Sequence, residues 1–304
     1  MLDICLLGTG GMMPLPHRSL TSLMVRFEGS SLLIDCGEGT QIAIKRKGLG
    51  YKNIDYILFT HFHADHISGL PGLLLAMGNA QRDETLTIIG PSGLERVVNS
   101  LRIIAPELPF DIDFIELDNN KEKISACPYI IDAFKVDHRI TCYGYSINIP
   151  RAGKFDPEKA KALRLPINLW GLLQHGETVE HEGELFMPEM VMGPERRGLK
   201  VTYTTDTRPT DFITEAAKGS DLFVCEGMYG EPGTAEKAKE HMHMNFEEAA
   251  AIAAKAKPKK MWLTHFSPAM VKPAEYEWVA KDIFPEACVG KDGMSISLKF
   301  DEEE

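Results

Sequence analysis

The stretch that decides the reading is "FTHFHADHISGLPG", residues 59–72, which places His61, His63, Asp65 and His66 within six positions directly after the apolar run "IDYIL". A short apolar run of this kind, bounded by turn residues, reads as a buried strand. Ligand-type side chains that begin where the strand stops are therefore set at its end. Imidazole and carboxylate are zinc donors, with manganese or iron as chemically reasonable substitutes. His61 and His63 are expected to hold one ion while Asp65 and His66 face a second. Four side chains cannot complete two coordination shells, so further donors must come from elsewhere.

Three later junctions repeat the pattern. "DAFKVDH" ends at His138, "VTYTTD" at Asp206 and "MWLTHF" at His265. Strand ends that each carry a ligand are what a fold needs if those ends converge on one site. Asp206 has a particular value here, because a carboxylate bridges two ions and a neutral imidazole does not. Two metals about 3.5–4 Å apart would share a water whose pKa falls towards roughly 7.

Outward from this cluster the chain reads as alternating strands and helices. "LDICLLG", "SLMVRF" and "SSLLIDCG" are strands, "GTQIAIKRKG" a helix closed by Gly48, and "GLPGLLLAMGNAQ" and "SGLERVVNSLRIIA" further helices. "DIDFIEL", "SACPYIIDAFKVDH" and "YGYSINI" read as two or three further strands, and "FEEAAAIAAKA" as a late helix. Between about 150 and 198 the periodicity weakens after the helix "FDPEKAKALR", which marks an arm inserted into a single domain spanning 1–304. The terminal "DEEE" is expected to fray.

The whole composition sets bounds. With 304 residues, 44% of them hydrophobic, the chain can bury a substantial core. Its net charge of −11 argues against a surface coated for nucleic acid, while leaving room for a local basic site. No stretch has the roughly 18–20 apolar residues of a membrane span, so no membrane association is expected. The opening "MLDICLLGTGG" lacks a basic leader and reads as a first strand. Six scattered cysteines without a CxxC pair read as free buried thiols in a reducing cytoplasm.

"THFHADH" with His138, Asp206 and His265 resembles the metallo-β-lactamase superfamily. That resemblance implies an α/β fold, a four-layer αββα sandwich with a dinuclear site at one edge. Finer motifs resemble the ribonuclease Z family of tRNA 3′-processing endonucleases: "LGTGG" at 7–11, "IDCGEGTQ" at 34–41, "THFHADHISGLPGLL" at 60–74, "TTDTRP" at 204–209, "HMNFEEAAAIAAKA" at 243–256 and "LTHFSP" at 263–268. The likeness covers nearly the whole chain. It implies the short form, a homodimer with two Zn2+ per subunit and no nucleotide cofactor, acting on precursor tRNA. Attack of a metal-held hydroxide would leave a 3′-hydroxyl on the tRNA and a 5′-phosphate on the trailer.

The resemblance also assigns roles. His243 and Glu226 match the family's leaving-group pair, with His243 supplying a proton to the departing ribose oxygen and Glu226 orienting it. Asp65 would be both ligand and proton acceptor, and Asp35 would position a ligand histidine from behind. The arm matches a flexible exosite that grips tRNA. Its stem carries Arg151, Lys154, Lys159, Lys161 and Arg164 against Asp156 and Glu158, five cations to two anions, net +3. Such contacts give affinity without reading sequence. The tip, residues 165–195, has six glutamates and no lysine or arginine, which argues against phosphate contact there. Arg18 is expected at the RNA as well, in "PLPHRS", a loop that reads PxKxRN in many members. The missing lysine and asparagine of that loop bear on how CCA-containing precursors are handled, and both that loop and an arm tip that reads "LPINLWGLL" where the family is Gly-Pro-rich bear on tRNA specificity. Two other classes compete: a superfamily hydrolase of small phosphodiesters, thioesters or lactones, and a non-catalytic RNA-binding scaffold. The seven retained ligands weigh against the scaffold, and the arm with the His243–Glu226 pair weighs against the small-ester enzyme.

Overall fold

The computed structural model describes residues 1–301. The last three, 302–304, belong to the terminal run expected to fray and lie outside the described residues. In chain order the strands are β1 (Leu2–Gly8), β2 (Ser22–Phe27), β3 (Ser30–Ile34), β4 (Ile54–Leu58), β5 (Leu86–Pro91), β6 (Ile112–Leu117), β7 (Lys121–Ala126), β8 (Tyr129–Val136), β9 (Cys142–Arg151), β10 (Val179–His181), β11 (Glu184–Phe186), β12 (Arg196–Thr204), β13 (Leu222–Glu226), β14 (Met261–Thr264), β15 (Ala287–Val289) and β16 (Met294–Leu298). Among the described residues, two seven-stranded sheets form, in the orders β16-β1-β2-β3-β4-β5-β6 and β15-β14-β13-β12-β9-β8-β7. β3 through β6 run parallel, as do β12 through β15.

The central strands of each sheet are buried on both faces. Helices Thr40–Arg46, Leu70–Asn79 and Leu94–Leu101 set Ile44, Leu73, Met77 and Val98 against Cys5, Leu33, Ile57 and Ile88 of the first sheet. Helices Asp211–Ala217 and Phe246–Ala256 do the same for the second, with Ile213, Ala249 and Ala253 against Phe223 and Leu263. In β1 the alternate residues Ile4 and Leu6 are as deeply buried as Cys5 and Leu7, so the face away from the helices is covered too. Hydrogen bonds run between the sheets: Tyr145 donates to the Phe59 carbonyl at 2.6 Å and Tyr129 to the Ser30 carbonyl at 2.9 Å. The α/β sandwich with two sheets inside and helices outside is the expected fold. Strands covered on both faces account for the near-continuous apolar runs "IDYIL", "LTIIG" and "MWLT".

Two readings are corrected. "SACPYIIDAFKVDH" is not one strand but the turn and second half of a hairpin, in which Ala126 pairs with Tyr129 across Cys127–Pro128. Its first half, "KEKISA", alternates exposed and half-buried residues and so lacks the apolar run that marks the other strands. The cysteines are all free, but Cys127 is exposed on that turn and Cys288 half-buried, whereas Cys5, Cys36, Cys142 and Cys225 are buried. Among the described residues no helix is long and apolar enough to cross a membrane.

Residues Ile149–Leu199, with Phe300 and Asp301, cluster as a compact unit of their own. Helix Pro157–Ala162 starts under an Asp156 cap that accepts from the Glu158 and Lys159 amides. Helix Ile167–Gln174 follows, and β10 and β11 pair through Glu182 and Gly183, both at positive φ as a tight hairpin requires. Ala160, Leu165, Leu173, Val179, Phe186 and Val191 form its small core, with Phe155 and Trp170 packed at 5.4 Å.

Candidate metal centre

β4 delivers the chain to Thr60 and His61, both fully buried, and a short helix, Ala64–Ile67, then turns Asp65 and His66 inward. Backbone packing beneath this turn is close. Cys36 N–H donates to the His66 carbonyl at 2.7 Å and Gly69 N–H to the Cys36 carbonyl at 2.9 Å. A Cβ on Gly37 would meet the Asp65 carbonyl at 2.1 Å, which is why glycine stands in "DCGEG". On the far side a Cβ on Gly11 would lie 2.7 Å from the His265 ring.

The structure brings all seven expected donors together, in two groups. His61, His63, His138 and Asp206 offer atoms within 4.8 Å of one another, and so do Asp65, His66 and His265. His61 Nε2 stands 2.9 Å from His63 Nδ1, which is 3.4 Å from His138 Nε2. In the second group His66 Nε2 and His265 Nε2 are 3.3 Å apart, each 3.5 Å from Asp65 Oδ2. Asp206 lies between them. Its Oδ2 is 3.7 Å from His61 and 3.8 Å from His138, while its Oδ1 is 3.2 Å from His66 and 3.1 Å from His265. One carboxylate oxygen thus serves each group.

These residues fit divalent ions. In a tetrahedral site with metal–nitrogen bonds of about 2.0–2.1 Å, neighbouring ligand atoms stand about 3.3 Å apart, close to the separations above. The tautomers fit as well. Asp35, fully buried and at φ 61° where β3 ends, accepts from Thr60 N at 2.9 Å, from Thr60 Oγ1, and from His66 Nδ1 at 2.9 Å. With its hydrogen given to Asp35, the Thr60 hydroxyl accepts from His61 Nδ1 at 3.0 Å. One buried carboxylate would therefore direct Nε2 of an imidazole in each group towards a metal once the ions are bound. His138 Nδ1 donates to the Met242 carbonyl at 3.2 Å, with the same result.

Charge also points to a cation. Burial opposes ionisation of Asp206, but His265, His66 and His61 hold its carboxyl well below the usual range. Burial likewise opposes charge on His66, yet Asp206 and Asp35 hold that imidazole well above its ordinary value. His265 is raised to about 10: burial opposes its charge, and Asp206 and Asp65 outweigh it. Burial and the neighbouring His66 push His61 well down. Bound cations would satisfy carboxylates that in their absence retain protons on the imidazoles.

Glu226, buried at the end of β13, accepts from Thr207 N at 2.5 Å and from His243 Nδ1 at 3.0 Å. Burial raises its pKa, but His243 and His265 bring it below the ordinary value. His243 lies 3.9 Å from Asp206 and lines an open cavity of about 580 Å³ with Met12, Asp65, His138, Arg139, Tyr229 and Lys237. His241 is exposed on the same rim, as a surface residue ending its helix. The Met12 amide, which sequence reasoning missed, donates to Asp65 Oδ2 at 2.7 Å. The role of Thr60 was missed too: the threonine recurs at these strand ends in the sequence, but only the structure places its hydroxyl between Asp35 and His61.

The expected RNA residues are placed differently. Arg18 is buried, and its guanidinium donates to the carbonyls of Ser267, Met270 and Val271 at 2.8–3.2 Å. That corrects its assignment: it ties two loops and does not face RNA. Within the unit Ile149–Leu199, Arg151 donates to the Asp301 carbonyl, Lys159 to the Met192 carbonyl and Lys161 to Glu158. Lys154 and Arg164 are exposed.

Two family models match parts of the chain: that of a beta-lactamase superfamily domain over residues 187–266, and that of the anti-Pycsar protein Apyc1 over residues 2–103. A relative from Lachnospira eligens called Ribonuclease Z is 60% identical over 303 residues, covering 100% of both chains. Another of that name, from Lachnoclostridium phytofermentans, is 58% identical over 304 residues with the same coverage. Among solved structures, the human tRNase Z short form superposes with a TM-score of 0.70 at 25% identity, covering 98% of this chain and 100% of its own.

Proposed function

The chain belongs to the ribonuclease Z family, and from that membership we propose that it cuts the 3′ trailer from precursor tRNA with two divalent ions, zinc in the first instance. The observation that carries this reading is Asp206, whose two oxygens each face a separate group of histidines, with the His243–Glu226 pair beside it. His61, His63 and His138 would hold one ion, Asp65, His66 and His265 the other, and Asp206 both. When bound, such ions neutralise phosphate charge and acidify water, which is the Lewis-acid contribution to phosphodiester hydrolysis.

The chain's own groups then handle the protons. Asp65, fixed by the Met12 amide, is placed to accept a proton from the attacking water. His243 has Nδ1 committed to Glu226, so its Nε2 is the atom left to protonate the departing ribose O3′. Glu226 holds the ring in that orientation. A 3′-hydroxyl on the tRNA and a 5′-phosphate on the trailer follow. Arg139 and Lys237 line the cavity together with Asp65 and Asp206, and we assign these two cations to contact with the RNA backbone. Arg151, Lys154, Lys159, Lys161 and Arg164 form the basic part of the arm, which we assign to sequence-independent contact with tRNA. Homodimerisation and a cytoplasmic setting belong to the same proposal, resting on family membership and on the free thiols.

The test is direct. Zinc-loaded protein is incubated with a 3′-extended precursor tRNA, with bis(p-nitrophenyl) phosphate and a thioester in parallel. Cleavage at the trailer junction is expected, and His243→Ala should lower kcat on the precursor by about 10²–10⁴-fold at unchanged zinc content. Thioester turnover without precursor cleavage refutes the reading in favour of a small-ester hydrolase.

A further inference from the structure

His243 is the group on which departure of the leaving oxygen depends in the reading above, yet its place in the cavity is not set by Glu226 alone. Helix Ala235–His241 ends at Met242, which is left-handed at φ 61°, and the next helix begins at Phe246. His243 therefore sits in a short connection whose course must be fixed by outside contacts. Its N–H donates to the Ala238 carbonyl at 2.9 Å. The Met242 carbonyl is taken by His138. The His243 carbonyl is taken by Arg208, whose guanidinium also makes a two-pronged ion pair with Glu248. Glu248 is held in turn. Its backbone N–H donates to Asn245 Oδ1 at 2.9 Å, and its Oε2 accepts from Asn245 N at 3.1 Å, closing a capping box at the start of the helix.

Arg208 is itself anchored at the metal side. Its N–H donates to the Asp137 carbonyl at 2.8 Å, and Thr207 beside it receives Asp137 N–H at 3.1 Å and donates to Glu226. The segment Asp206–Thr207–Arg208 thus touches both metal groups, Glu226 and the backbone of His243 in three consecutive residues. Arg208 and Glu248 are largely withdrawn from water, with side chains 15% and 19% exposed. A planar guanidinium with paired donors fixes direction as well as distance, which lysine cannot reproduce.

We infer that Arg208, locked by Glu248, is a positioning residue that sets the approach of His243 to the leaving oxygen. It makes the RNA cut sensitive to an ion pair that touches neither substrate nor metal. The inference rests on the proposed role of His243, and the choice of leaving group separates the two. The ribose O3′ needs a proton as it departs, whereas p-nitrophenolate leaves without one.

Arg208→Met keeps side-chain bulk and removes the donors. A small displacement of a catalytic group costs up to about a hundredfold in rate. Arg208→Met is therefore expected to lower kcat on precursor tRNA by about ten- to a hundredfold, with KM within about threefold and zinc content as in the parent. Hydrolysis of bis(p-nitrophenyl) phosphate should fall by less than about threefold, and Arg208→Lys should recover only part of the loss. Equal losses on both substrates, loss of zinc, or an unchanged precursor rate each overturn the inference. If Arg208→Met does not fold, Glu248→Gln is judged by the same ratio of the two rates. If His243→Ala itself shows no difference between the two leaving groups, the role given to His243 has failed first.

Discussion

Replacing Asp35 with asparagine tests the metal reading at a residue that would touch no metal. The carboxylate accepts from Thr60 N and Thr60 Oγ1 on one side and from His66 Nδ1 on the other, with the Tyr203 hydroxyl 3.4 Å away. An amide of the same shape has one accepting oxygen and one donating NH2. If the oxygen keeps Thr60, the NH2 faces the His66 Nδ1–H. If it keeps His66, the NH2 faces the Thr60 N–H. In the first case relief comes from moving the His66 proton to Nε2, which removes the lone pair a metal needs. In the second the Thr60 hydroxyl is disturbed, and with it the tautomer of His61 in the other group. Loss of an outer partner of this kind typically costs 10–100-fold in metal affinity, or about 1.4–2.7 kcal/mol. A buried donor left unsatisfied lowers apo stability by a further 1–3 kcal/mol or roughly so. Zinc affinity is read by competition with a chromophoric chelator, and apo stability by urea unfolding in the presence of EDTA. A folded Asp35→Asn protein that binds zinc within twofold of the parent would refute the argument that Asp35 sets the tautomers.

Three further outcomes are expected. Gly11→Ala puts a methyl 2.7 Å from the His265 ring, so it should reduce bound metal per subunit, measured by elemental analysis after gel filtration. Arg18→Ala should lower thermal stability, because three carbonyls lose a buried charged donor at a cost of about 1.5–3 kcal/mol; a raised KM for tRNA at unchanged stability would restore Arg18 to the RNA. Tyr129, driven up to about 12 by burial from an ordinary value of 10.0, stays protonated in the fold longer than in the unfolded chain. Its contribution is therefore intact below pH 10 and is lost as pH rises towards 12, about 3 kcal/mol in all. Urea titrations should show that Tyr129→Phe flattens part of this alkaline decline.

What could be read from the sequence followed from how each feature is encoded. The seven donors were visible because each follows closely on the end of a strand, either directly or, for Asp65 and His66, in the short helix after β4, and such junctions are local patterns. The hairpin β7–β8 was hidden by "KEKISA", whose exposed face dilutes the apolar signal. The order within Ile149–Leu199 was hidden because its six buried core residues are spread over two short helices, a hairpin of two three-residue strands and the connections between them. Arg18 was misread because a charge in a loop says nothing about whether carbonyls from residues 267–271 surround it. The link from Arg208 to Glu248 spans 40 residues and has no periodicity to announce it.

The spread of the donors also matters during synthesis. Four come from residues 61–66, but Asp206 and the last imidazole, His265, lie far along the chain. A growing chain therefore has half of a metal site long before it has a whole one. On the proposed reading, a chain that ends before residue 265 lacks the last of the seven donors and is expected to hold less metal than the full chain.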